Sequence, residues 1–168
     1  KKIASLENGE KALIFTSGMA AISTSIMANV KTGDHIIFQN DLYGGTRNFI
    51  QTEFDKFGIQ YSFTKGLDPE DFSAQIKKNT VGIYVETPSN PLLKIVDLKT
   101  VSSIAKQNNL WTMIDNTFAS PVNQNPIDHG IDVVIHSATK YLGGHSDISA
   151  GAVTVSYTHL RAHETLLD

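Results

Sequence analysis

Short runs of β-branched and aromatic residues alternate along the chain with stretches whose apolar residues recur every three or four positions, and glycine or proline separates the two. Such alternation predicts βαβ units and a parallel sheet. Residues 1–8 read as the tail of a helix, with Ile3 and Leu6 on one side and Gly9 as its stop. Strands are predicted at 12–15, 35–38, 60–63, 81–85, 111–114, 133–135 and 152–155, seven in all. After the first strand Ile22, Ile26 and Val30 repeat every four residues, which makes a helix ended by Thr32-Gly33-Asp34. A second helix runs from 46 to 57, with Ile50, Phe54 and Phe57 inward and Gly58 as its terminator. Pro69 suits the first turn of a short helix reaching residue 77. Residues 87–91 must be loop, because Pro88 and Pro91 cannot serve a central ladder, and Asp97 caps a helix that turns Leu98, Val101, Ile104 and Ala105 inward. The pattern predicts an α/β fold, a mainly parallel seven-stranded sheet flanked by helices.

Composition narrows the class. Hydrophobic residues make up 40% of the 168, enough for a core, and a net charge of −3 without any basic run argues against nucleic-acid or anionic-membrane partners. No stretch approaches the roughly 18 apolar residues of a membrane span, and the first residues lack the basic region and apolar run of a signal peptide. The chain is expected to be soluble and cytoplasmic. The absence of cysteine excludes disulfides, thiolate nucleophiles and Cys-ligated zinc. No metal site is expected either, since only His159 and His163 stand at helical spacing. Residues 156–168 show neither periodicity and read as a non-native tail, while a start without methionine inside a helical pattern predicts a fragment whose body is 1–155.

In open α/β sheets ligands gather outside the carboxyl ends of the strands, so the residues that follow each strand carry the candidate chemistry. Thr16-Ser17-Gly18-Met19 joins a strand to a helix N-terminus, where unpaired N–H groups attract an anion such as phosphate; a plain structural turn would read the same way. Asp115 closes an apolar strand, either as a turn residue or as a charge held for a buried cation. Lys140 follows His136-Ser137-Ala138-Thr139 and is expected to be tucked between a buried strand and the Gly143-Gly144 turn, where an amine can act as a nucleophile. Taken in order, a phosphate loop at Gly18, an aromatic Tyr43, Asp115, and then Ser137, Thr139 and Lys140 supply what a pyridoxal phosphate site needs: an anion cradle, a ring face, a carboxylate for the pyridine nitrogen and a Schiff-base lysine.

These residues sit in five blocks: Ser17-Gly18-Met19-Ala20-Ala21-Ile22, Asp41-Leu42-Tyr43-Gly44-Gly45-Thr46, Glu86-Thr87-Pro88-Ser89-Asn90-Pro91, Asp115-Asn116-Thr117-Phe118, and the run from His136 to Asp147. With them the chain resembles the Cys/Met-metabolism (trans-sulfuration) family of pyridoxal-phosphate enzymes, over about residues 6–155. The resemblance implies an aspartate-aminotransferase-like (fold type I) large cofactor domain. It implies that Gly18 and Met19 bind the cofactor phosphate with Ser137 and Thr139, that Tyr43 stacks on the ring and assists proton transfer, and that Asn90 contacts the ring hydroxyl side or the substrate carboxylate. Asp115 would pair with the ring nitrogen, Thr117 would lie beside the ring, and Lys140 would hold the cofactor covalently and act as base. Catalysis is thus assigned to Lys140, Tyr43 and Asp115.

The same resemblance implies small amino-acid substrates, β- or γ-elimination or γ-replacement, and a homo-oligomer of tetrameric type. Methionine γ-lyases of the family tend to carry cysteine where Gly45 stands, which leans toward cystathionine γ-synthase or γ-lyase over β-lyase, methionine γ-lyase or O-acylhomoserine sulfhydrylase. In the family the carboxylate-binding arginine comes from a smaller C-terminal domain, and a Tyr/Arg pair that reaches a neighbouring subunit's phosphate lies upstream of residue 1. Arg47 is expected on a surface or interface, so the fragment alone should be inactive. Two rivals stand outside the family. Ser137 and Lys140 spell the Ser-x-x-Lys of serine acyl-transfer enzymes, though without the Ser-Asp-Asn and Lys-Thr-Gly companions. A catalytically silent binding module would keep the fold but not its chemistry.

Overall fold

The computed structural model describes residues 1–156. Within them seven strands form one sheet in the order β1-β7-β6-β5-β4-β2-β3: β1 (Lys11–Phe15), β2 (His35–Phe38), β3 (Gln60–Phe63), β4 (Thr80–Glu86), β5 (Trp111–Asp115), β6 (Val133–His136) and β7 (Gly151–Val155). Six run the same way. β7 lies between β1 and β6 and is antiparallel to both, which makes the sheet the mainly parallel one expected from the sequence. Helices α1 (Lys2–Leu6), α2 (Gly18–Ala28), α3 (Gly44–Glu53), α4 (Pro69–Ser73), α5 (Leu98–Gln107) and α6 (Ser120–Asn123) fill the connections.

The central strands are buried on both sides, which is why they read as unbroken apolar runs. Successive residues go to opposite faces: Ile36 and Phe38 of β2, Tyr84 of β4, Met113 of β5 and Ile135 of β6 pack with Ile22 and Ile26 of α2 and Ile50 of α3. On the other face Ile37, Ile83, Val85, Ile114 and Val134 meet Val101, Ile104 and Ala105 of α5 and Phe72 of α4. Glycine is required where α2 passes over β7, because a Cβ on Gly151 would lie 2.1 Å from the carbonyl oxygen of Ser17.

Several boundaries move. The helix expected over 46–57 starts at Gly44 and breaks after Glu53 into a 3-10 turn over Phe54–Phe57, closed by Gly58 in the left-handed region at φ 64°. The helix expected to reach residue 77 stops at Ser73, where i to i+3 turns take over: Gln75 N–H donates to Phe72 and Ile76 N–H to Ser73. Two short elements have no forecast, α6 and a 3-10 turn over Pro126–His129. The segment expected to be non-native begins at the last described residue, and its remainder, 157–168, lies outside the described residues. Among those described, no helix is long and apolar enough to cross a membrane.

Candidate active site

Because six strands share a direction, their carboxyl ends fall on one edge, and the residues that follow them surround a cavity of about 770 Å³. All nine residues assigned from sequence line it. At one end α2 begins. Ser17 caps it in extended backbone, its hydroxyl accepting from Ala20 N–H at 3.1 Å, which leaves the N–H groups of Gly18 and Met19 outside the helix's own bonding. A Cβ on Gly18 would come within 2.7 Å of Ser137 Cβ, so glycine alone lets the helix start sit against the end of β6.

Asp115 ends β5 and is 7% exposed. Its Oδ1 accepts from the backbone N–H and the hydroxyl of Thr117, and that hydroxyl accepts in turn from Ser137 N–H at 2.8 Å. Among the described residues Oδ2 takes no hydrogen bond. Burial pushes the carboxyl above its ordinary range, against the hydrogen bonds from Thr117 and the nearby His136, which lower it.

The turn that carries Lys140 is pinned to its own far end. Thr139 N–H donates to Ala150 at 3.1 Å, Ala150 N–H donates back to the Thr139 hydroxyl at 2.9 Å, and Lys140 N–H donates to Ser137 at 3.0 Å. The lysine is exposed on the cavity wall, not tucked between the buried strand and the Gly143-Gly144 turn, because it sits within the turn over 138–143, whose Gly143 N–H donates to Ala138 and Gly144 N–H to Lys140 itself. Its amine makes no hydrogen bond or ion pair among the described residues. Among the described residues no side-chain hydrogen bond joins that amine to the Ser137 hydroxyl.

Tyr43 stands at the start of α3, 45% exposed, and its ring lies over Gly45, where a Cβ would meet Tyr43 Cε1 at 2.6 Å. Asn90 belongs to the loop after β4, whose two prolines both follow cis peptide bonds. One residue not assigned from sequence joins these two: Glu86 is 4% exposed, its Oε2 accepts from Tyr43 N–H and its Oε1 from Asn90 N–H, each at 2.8 Å. Burial, with Asp115 as the next strand's neighbour, pushes Glu86 up to about 7. Phe118 and Tyr141, also without an assignment, meet edge to face at 6.1 Å on the wall. Arg47 lies outside the cavity, its guanidinium 4.1 Å over the Phe63 ring and 2.8 Å from the Asn40 carbonyl, in agreement with a surface role.

A model of the Cys/Met metabolism PLP-dependent enzymes matches residues 1–167. The chain belongs to this family. Similarity to its individual members agrees. A probable cystathionine gamma-synthase of Herpetosiphon aurantiacus is 46% identical over 158 residues, covering 94% of this chain and 49% of that relative. A cystathionine beta-lyase of Lactococcus lactis subsp. cremoris is 49% identical over 158 residues, 94% of this chain and 41% of that one. The crystal structure of cystathionine gamma-lyase from Lactobacillus plantarum complexed with L-serine superposes with a TM-score of 0.91 at 43% identity, over 98% of this chain and 43% of that one. The chain therefore spans less than half the length of these relatives, and its mainly parallel sheet is that of fold-type-I PLP enzymes. As a PLP-dependent family the group has a defined cofactor, and the cavity fits it. A buried carboxylate with an uncommitted oxygen suits a protonated ring nitrogen, the start of α2 with two hydroxyls suits a phosphate, and a free amine suits an aldehyde.

Proposed function

We propose that the nine residues form the cofactor site and that the protein carrying this chain is a trans-sulfuration enzyme. It acts on sulfur amino acids or O-acylhomoserine by β- or γ-elimination or by γ-replacement. The observation that carries the reading is the convergence of all nine on one cavity, with Asp115 buried at its floor and the Lys140 amine uncommitted on its wall.

Bound pyridoxal phosphate would supply an aldehyde for amine condensation and a ring that withdraws electrons from the substrate's Cα. The chain's own residues do the rest. Gly18 and Met19 donate backbone N–H groups to the phosphate, and the Ser137 and Thr139 hydroxyls complete the cradle. Asp115, held by Thr117, keeps a proton on the ring nitrogen. Tyr43 covers the ring face while Glu86 fixes its backbone and that of Asn90. The Lys140 amine would hold the cofactor and, with substrate bound, would serve as the base that takes up and returns the Cα proton. Elimination would release a thiol from a sulfur amino acid or a carboxylate from O-acylhomoserine, so the sulfur chemistry belongs to the substrate and no cysteine is needed.

Gly45 leans the reading toward the synthase or γ-lyase side, because methionine γ-lyases tend to carry cysteine there, and a Cβ at this position would stand 2.6 Å from the Tyr43 ring. A homo-oligomer in the cytoplasm, with the carboxylate-binding arginine and a neighbour's phosphate ligands supplied by other segments, completes the reading. The test is borohydride reduction of the loaded protein followed by peptide mass analysis. A cofactor adduct on the Lys140 peptide that disappears in Lys140→Ala supports the assignment, and an adduct on any other lysine refutes it. Products from cystathionine, or from O-acylhomoserine with cysteine, then separate pyruvate-forming, 2-oxobutyrate-forming and cystathionine-forming activities.

A further inference from the structure

Behind Asp115, on the side away from the cavity, lies a buried polar cluster with no part in the roles above. Glu7 caps the C-terminal end of α1, Asn116 follows β5 and His136 ends β6; their exposures are 0, 0 and 1%. Glu7 Oε1 accepts from Asn116 Nδ2 at 3.0 Å and shares a short hydrogen bond with His136 Nε2. Gln124 completes Asn116, donating to its Oδ1 at 2.9 Å and accepting from its Nδ2 at 3.0 Å. Glu7 Oε2 is buried with no hydrogen-bond partner among the described residues.

A carboxylate buried with one oxygen unsatisfied is a costly way to fasten a helix, and apolar packing would serve that purpose at least as well. Its partners explain its presence. Asn116 directly follows Asp115 and His136 directly precedes Ser137, so one oxygen from a segment 109 and 129 residues away grips both neighbours of candidate cofactor ligands. Asn116 N–H also bonds the Ile135 carbonyl at 2.9 Å, which places the two strand ends side by side.

We propose that Glu7 is a positioning residue of the cofactor site, fixing the ends of β5 and β6 so that Asp115 and Ser137 keep the separation that ring nitrogen and phosphate require. The inference rests on the reading of Asp115 and Ser137 as cofactor ligands. It makes α1 part of the site although α1 touches no part of the cavity.

Because both hydrogen bonds fall on Oε1, a glutamine carbonyl can accept them, whereas methionine keeps the volume and accepts neither. In the complete, PLP-loaded protein Glu7→Met is expected to weaken PLP about tenfold, the scale on which partners of ligating residues act. It should also alter the visible circular dichroism of the bound cofactor, and Glu7→Gln should retain both properties. A folded Glu7→Met with unchanged affinity and dichroism overturns the proposal, as does a Glu7→Gln protein as weak as Glu7→Met. Asn116→Ser removes the bond to Glu7 together with the two to Gln124 and leaves the His136 contact; it is expected to weaken PLP in the same direction. Unchanged affinity and dichroism in Asn116→Ser overturns the proposal even where Glu7→Met does not fold. Asp115→Asn serves as the reference: if it leaves the cofactor's dichroism unchanged, the reading of Asp115 itself fails, whereas a change there with none at Glu7 or Asn116 condemns only the positioning role.

Discussion

Burial lifts Glu86 from 4.5 to about 7, so between those values the folded protein holds a proton that the unfolded chain has released. Stability of the cofactor-free protein through this group therefore falls as pH rises, by about 1.4 kcal/mol per unit and about 3 kcal/mol in all. Asp115, raised for the same reason, adds to the fall. His35 opposes it: its ring bonds the Thr80 and Ser62 hydroxyls, burial lowers it to about 4, and folding keeps it neutral, so its contribution grows as pH rises from about 4 to 6.5. In Glu86→Gln one acceptor is lost at a cost of about 1 kcal/mol. The variant should be the weaker protein at pH 4.5 and the stronger at pH 7, as urea midpoints across that range will report. Asp115→Asn should bind the cofactor but lose about a hundredfold or more in kcat, the scale of other site-directed electrostatic losses, and undiminished turnover would remove its assigned role. The motif blocks reveal Asp115 and Lys140 because their chemistry is intrinsic to residue type and place. Glu86 and Glu7 are silent in the sequence, since what defines them is which backbone or side chain, 43 or 109 positions away, their oxygens meet.

At the scale of elements, the start of α2 depends on a missing side chain. Gly18→Ala would force a methyl to within 2.7 Å of Ser137 Cβ, and either the helix start or the end of β6 must withdraw. Phosphate affinity should drop, with inorganic phosphate as competitor for PLP losing its effect in parallel; unchanged competition would show that the cradle lies elsewhere. Strand positions were legible because β2, β4, β5 and β6 are apolar on both faces and short, which leaves little choice of period. Helix ends were less so. The 46–57 periodicity spans a break after Glu53 because Phe54 and Phe57 keep near-helical spacing in the tighter turn, and only Gly58 marks its close. The direction of β7 left no trace, since an apolar run specifies a strand but not which way it runs.

For the described residues as a whole, the strands carry one buried core on each face of the sheet. Ile114, fully buried against α5, should cost about 2–5 kcal/mol on replacement by alanine, measured by urea unfolding. Leu13 on β1, 67% exposed, should cost about 0.5 kcal/mol or less unless another polypeptide surface covers it. The arrangement of β7 has a further consequence, in time. Residue 140 is made before Ala150, the residue that leads into β7, so the Thr139–Ala150 clasp cannot form until that part of the chain has followed. The geometry of the turn that carries Lys140 thus depends on chain that is made after it.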